Sequence, residues 1–213
     1  MNNYFILKIC ATTIFAYLTG SIPFGVIFAK IFANEDVREK KSRNIGATNV
    51  LRVAGIIPAS LTLAGDMLKG AVPVLIACSC AGCNNNVPGK IAITIVGLFA
   101  FLGHLYPIYT KFKCGGKGVA TAAGCIFVIS PETGLMSMLI FIILIFFYNR
   151  VSAASLGAAA ALPVLLWLFE HSLILSGYAF ITGVLIFHRH ADNIKRLLAG
   201  TEPTLKNKIE QKK

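Results

Sequence analysis

The 213-residue chain is 56% hydrophobic and only 14% charged, with a mean hydropathy of +0.73. That composition excludes a water-soluble globular domain of this length and predicts one integral-membrane domain over residues 1–213. The formal net charge of +11 does not mark a nucleic-acid binder, because the basic residues cluster in short segments between apolar runs, as the positive-inside rule places them.

Apolar runs at 5–29, 57–80, 91–110, 119–130, 134–148, 153–169 and 172–187 predict an all-α polytopic protein with about seven transmembrane helices. The first run has only Lys8 near its start and no small-residue cleavage site at its end, so it reads as a retained span rather than a cleaved signal. It ends in "GSIPFG", where Pro23 is expected to kink the helix and Ser21 to satisfy a freed carbonyl. Next comes "SRNIGATNVLR", in which Ser42, Asn44, Thr48 and Asn49 surround Gly46 and lead to Arg52. It reads either as a solvated loop with a helix cap or as a polar binding segment.

The second span carries "GDMLKG". Each ion in hydrocarbon costs about 2.5–3.5 kcal/mol. Asp66 and Lys69, three residues apart, share one helical face and must point into the bundle, as a structural ion pair or as substrate contacts. Of the six cysteines, Cys80 and Cys83 form one CxxC beside Cys78; without a second pair or nearby histidines it does not make a metal set, so it reads first as small apolar residues near a helix end, with a disulfide or a metal as the alternatives.

After the third span and its "GHLYP", where His104 reads as interfacial or capping, comes "FKCGGKGVATAAG". It is not a nucleotide P-loop, which needs four residues between its first glycine and Gly-Lys-Ser/Thr. Gly115, Gly116 and Gly118 allow backbone N–H groups close to a ligand, Lys117 adds a cation, and Thr121 adds a hydroxyl in the helix that follows. That helix turns its positive end to the same place. The segment reads as an anion cradle, or as a glycine turn with Lys117 as a topology signal.

The fourth and fifth runs are short and separated by "SPETG", with Pro131 and Gly134 as turn residues. Lys117 before them and Arg150 after them place both ends on one side, so they form a hairpin. Three hairpins then follow the first span, with the N-terminus outside and the C-terminus cytoplasmic. The opposite face carries little charge: Lys8, Lys90, Glu132 and Glu170. In "NRVSAAS", Ser152 and Ser155 are helix caps or ligand contacts. In "RHADNIKRLLAGTEP", His190 and Asn193 share a helical face; His171 reads as interfacial or capping and His188 has no assigned role. Arg52, Lys117, Arg189 and the glycines are expected to converge on a site for phosphate-bearing ligands with an apolar tail.

In their order and spacing these motifs resemble the bacterial acyl-phosphate:glycerol-3-phosphate acyltransferases, small polytopic inner-membrane enzymes, over almost the whole chain. The resemblance implies transfer of a fatty acyl group from acyl phosphate to the 1-hydroxyl of glycerol 3-phosphate. The products are lysophosphatidic acid and phosphate, the first acylation of phospholipid synthesis, with no metal or other cofactor. It implies a site facing the cytoplasm and functional coupling to the enzyme that makes acyl phosphate. By resemblance Ser42, Arg52, Lys117, His190 and Asn193 are catalytic; Asn44, Thr48, Asn49, Gly115, Gly116, Gly118, Thr121 and Ser155 bind substrate; and Glu202 supports them, with Asp66 and Lys69 beneath. Two residues depart from the family pattern: Cys114 precedes the glycine pair, and Thr204 replaces a lysine after "GTEP". The acyl-CoA type of signature is absent, because no aspartate lies five residues after any of the four histidines. A phosphate transporter would place its polar groups near the midplane and show related halves, and a lipid-binding scaffold would need the lysines but not the glycines.

Overall fold

The computed structural model describes residues 3–81 and 86–205. All its regular structure among these residues is helical: α1 (Asn3–Gly20), α2 (Phe24–Ala33), α3 (Ala47–Val53), α4 (Ile56–Ala81), α5 (Val87–Leu105), α6 (Val119–Ile129), α7 (Pro131–Tyr148), α8 (Val151–Glu170), α9 (Leu173–Arg189) and α10 (Ala191–Leu198), with one 3-10 turn at Ile108–Thr110. Each of the seven apolar runs forms helix. Five segments are long and apolar enough to cross a bilayer, and α9 with α10, bent by 64° at His190, makes a sixth. The run at 119–130 is different: α6 has 11 residues, about 16 Å at 1.5 Å per residue, roughly half of a hydrocarbon core of about 30 Å.

Two local expectations change. The chain does not merely kink at Pro23: it breaks between α1 and α2 over Ser21–Pro23, and the Ser21 hydroxyl donates to the Tyr17 carbonyl at 2.8 Å. The turn expected over 130–134 contracts to Ser130 alone. Pro131 opens α7, a position that needs no N–H donor, so Gly134 lies inside α7, directly beneath the Phe127 ring.

The centre of the bundle is α5, packed against α1, α4, α6 and α9. Val96, Ala100, Ile93, Cys125, Ile126, Leu166 and Tyr178 form its main core. Phe101, Leu105, Ala122, Ala159 and Ile186 form a second cluster at the end of α5 that carries the glycine loop. A third cluster of Ala29, Val37, Ile45, Val50 and Ala59 fixes the arm made by α2, the loop after it and α3. Large side chains on the outer faces, such as Phe146 and Phe147 of α7, are exposed, as expected where lipid is the solvent.

Candidate active site

The arm is built around Asn49. Its side chain is buried and makes four hydrogen bonds: it donates to the carbonyls of Val37 (2.9 Å), Lys40 (3.3 Å) and Asn44 (2.9 Å) and accepts from the Ser42 N–H (3.2 Å). Asn44 turns its own Oδ1 to the Gly46 N–H at 2.9 Å. The Asn49 amide, expected to meet substrate, is engaged at both its oxygen and its nitrogen in shaping the loop, since unpaired carbonyls in a closed loop are costly, while Asn44 gives the loop its oxygen. Ser42 is exposed and Thr48 half-buried on the same arm. Arg52, in the last turn of α3, is the residue the arm delivers. Its Nε is buried without a hydrogen-bond partner among the described residues. Burial lowers its pKa, the Glu202 carboxylate offsets part of this, and Arg196 adds to it; an arginine stays charged regardless.

The glycine loop lies flat on the end of α5. A Cβ on Gly115 would fall 1.7 Å from the Leu105 carbonyl oxygen, and one on Gly116 1.8 Å from His104 Nε2. Gly118 has φ +81° and opens α6 with no side-chain cap. The first N–H groups of that helix thus have no partner from their own helix. The Gly116 N–H donates to the His104 carbonyl at 3.0 Å. Arg189, expected as a site cation, instead donates to the carbonyls of Gly115 and Gly116 from the end of α9. It holds those carbonyls on its own side. Cys114 is absorbed by a left-handed backbone turn (φ +54°) just before the pair. Thr121, in the first turn of α6, is fully buried, and its hydroxyl has no partner among the described residues.

The two regions meet through the segment after α9. Lys117 Nζ donates to Asn193 Oδ1, and Asn193 Nδ2 donates to Glu202 Oε1 at 2.8 Å. Glu202 also accepts from the Ser152 hydroxyl (2.8 Å) and from Arg196 Nε (2.7 Å). Its carbonyl takes Arg150 Nε at 3.0 Å, and the Leu205 N–H reaches the Asn149 carbonyl at 2.8 Å. Burial raises the Glu202 pKa, but the bonds from Asn193, Arg196 and Ser152 outweigh it, so the net direction is down and the carboxylate stays ionised. His190 is buried at the bend between α9 and α10, with Nδ1 2.8 Å from the Ile186 carbonyl. A carbonyl can only accept, so Nδ1 carries the proton and Nε2 is left as an acceptor.

Asp66 and Lys69 form a buried ion pair at 2.7 Å. His104, expected at an interface or as a cap, is buried beside them, its Nδ1 3.6 Å from Asp66 Oδ1. His171 caps α8 in a left-handed conformation. Neither serine of the "NRVSAAS" stretch is a cap, since α8 has no side-chain capping bond. Ser155, the serine expected to reach substrate, bonds back to the Val151 carbonyl at 2.9 Å, while Ser152 reaches Glu202. Sequence reasoning also missed Arg196, although it follows His190 and Asn193 at three-residue steps along one face. Cys80 is a free thiol, and Cys83 lies outside the described residues. No group of three His, Cys, Asp or Glu side chains suited to a metal occurs among the described residues.

Residues 10–200 match the family model described as Glycerol-3-phosphate acyltransferase. A protein of that name from Syntrophotalea carbinolica is 42% identical over 206 residues, 97% of this chain and 100% of its own length. One from Aquifex aeolicus is 40% identical over 196 residues, 92% of this chain and 98% of its own length. Among solved structures, the chain is similar to the crystal structure of PlsY, an integral membrane glycerol 3-phosphate acyltransferase, in its glycerol 3-phosphate form (TM-score 0.85, 39% identity, 92% of this chain and 94% of that one). It is similar as well to the lysophosphatidic acid form (TM-score 0.83, 39% identity, the same coverage of both chains). With most of its length matched by the family model and by relatives at 40% and 42% identity, the chain belongs to the glycerol-3-phosphate acyltransferase family.

Proposed function

We propose that this protein transfers a fatty acyl group from acyl phosphate to the 1-hydroxyl of glycerol 3-phosphate, at the cytoplasmic face of a bacterial inner membrane, giving lysophosphatidic acid and phosphate. The observation that carries this reading is the chain Lys117–Asn193–Glu202, which joins the glycine loop to the helix bearing His190 and lies within the electrostatic reach of Arg52. Two cationic regions are thereby set side by side, as two mutually repelling phosphates require.

In this reading Lys117, the Thr121 hydroxyl and the free N–H groups of α6 bind the acyl-phosphate headgroup. Arg52 and Asn193 bind glycerol 3-phosphate, and Glu202 with Ser152 and Arg196 holds Asn193 in place. Ser42 and Thr48 border the glycerol phosphate from the arm. Neutral His190 accepts the hydrogen bond of the attacking hydroxyl through Nε2 and so orients its oxygen lone pair to the carbonyl carbon. The new ester C–O bond forms, the C–O bond to phosphate breaks, and the departing phosphate takes both the electron pair and the hydroxyl proton. Acyl phosphate is already activated, so the protein's task is positioning and charge stabilisation.

The test is direct. Detergent-purified protein is incubated with acyl phosphate and labelled glycerol 3-phosphate, and lysophosphatidic acid is measured. Formation of one phosphate per lysophosphatidic acid is expected. A chain that makes neither, while folded, is a carrier or a scaffold.

A further inference from the structure

Asp66, Lys69 and His104 lie within the bundle, and none is assigned a contact with substrate in the reading above. Their side chains are 2–3% exposed. A buried ion pair adds little net stability compared with well-packed apolar residues, and ions within a membrane are expensive. What the three side chains do touch is informative. Lys69 Nζ, besides pairing with Asp66, donates to the Ile22 carbonyl at 2.9 Å, inside the break between α1 and α2. The arm that delivers Arg52 starts from that break. Asp66 also faces His104 Nδ1, and the opposite edge of the same ring supports the glycine loop, Nε2 lying 1.8 Å from where a Gly116 Cβ would be. The His104 carbonyl takes the Gly116 N–H at 3.0 Å. A continuous set of contacts therefore runs from the root of the arm, through α4, to the underside of the loop: the Lys69 hydrogen bond and its ion pair with Asp66, the 3.6 Å approach of Asp66 to His104, which is longer than a hydrogen bond, and the steric seat of Gly116 on the His104 ring.

We propose that Asp66, Lys69 and His104 form a positioning network that sets the glycine loop relative to the arm, and so fixes the separation of the two phosphate sites. The proposal rests on the acyl-transfer reading. Asp66 holds the His104 ring upright beneath Gly116, and Lys69 ties Asp66 to the Ile22 carbonyl. Neither phosphate touches these residues. Their effect is on how closely the bound carbonyl and hydroxyl approach, and a displacement of about 1 Å costs about a hundredfold in rate.

Full-length His104→Gln and Asp66→Asn, both close in volume to the native residues, are purified in detergent beside the wild type. Four quantities are read: kcat, the glycerol 3-phosphate KM, inhibition by inorganic phosphate, and the thermal midpoint. The expected result is kcat lowered about ten- to a hundredfold with the glycerol 3-phosphate KM within about twofold. In His104→Gln the phosphate inhibition constant is expected to rise as well, because the loop that binds phosphate loses its support. Folded variants with unchanged kcat and phosphate inhibition, whatever their thermal midpoint, overturn the proposal. So does loss of folding in both variants, which assigns the network to stability alone. A wild type that makes no lysophosphatidic acid sinks the acyl-transfer reading instead, a separate result from any difference among variants.

Discussion

The glycine loop and the α2–α3 arm are held in different ways. The loop is fixed by backbone lying on backbone: Gly115 on the Leu105 carbonyl, Gly116 on the His104 ring, and two carbonyls held by Arg189. The arm is seated at its ends by buried Val37 and by Ile45, whose carbonyl lies on Gly25, and the loop between them is shaped by a single side chain, Asn49, with its four hydrogen bonds. A cradle of backbone tolerates no added atom, whereas an arm shaped by one amide tolerates surface change but not the loss of that amide.

The most severe way to break this contrast is Gly116→Ala. Its methyl group would sit 1.8 Å from His104 Nε2, so the loop must lift, and kcat/KM is expected to fall more than about a hundredfold. Near-native turnover in this variant would show that the loop is not fixed as described. Arg52→Ala comes next. Loss of a charge-assisted bond of about 1.5–3 kcal/mol lowers kcat/KM about ten- to a hundredfold, and glycerol 3-phosphate titrations should show it. Asn49→Ala tests the arm itself: unpaired loop carbonyls cost about 1–3 kcal/mol, seen as a lower thermal midpoint. Tighter still is the pair Ser152→Ala and Ser155→Ala. The first removes a bond to Glu202 and should lower activity severalfold, and the second removes only a bond to its own helix and should change it little.

The smallest effect is on pH dependence. The bonds from Asn193, Arg196 and Ser152 hold the Glu202 carboxyl below its ordinary value of 4.5, so the folded chain binds fewer protons there than the unfolded one. Its contribution to stability is present above 4.5 and is lost on further acidification. Thermal midpoints should decline as pH falls below 4.5, and Glu202→Gln should flatten that slope. An unchanged slope would mean that Glu202 is not held ionised by these three partners.

The helices were legible because apolar runs are long and their basic flanks are distinct; six of the seven runs need only composition to be read. The exception is α6, whose apolar run gives no sign that Ser130 alone breaks it. Within the candidate site, Lys117 and Asn193, singled out by glycine context and by the family resemblance, do meet in a hydrogen bond. The duties of Asn49 and Arg189 were not legible, because an amide or guanidinium engaged by distant carbonyls has the same sequence appearance as one that holds a ligand. His104 was misread for a related reason: its partner Asp66 lies 38 positions away (104 − 66 = 38), and only packing of α4 on α5 brings them together. Ser155 was favoured over Ser152 as the serine that reaches substrate, whereas it is Ser152 that bonds to Glu202 and Ser155 that bonds back to its own helix.

Glu202 follows all the described helices, yet its carboxylate anchors Asn193, Arg196 and Ser152. A clipped polypeptide ending at Leu198 would own the cradle and the arm but have an untethered Asn193 and an Arg196 with no counter-ion from Glu202. Proteolysis in the short stretch between Leu198 and Glu202 is therefore expected to silence the catalyst while leaving its membrane scaffold whole.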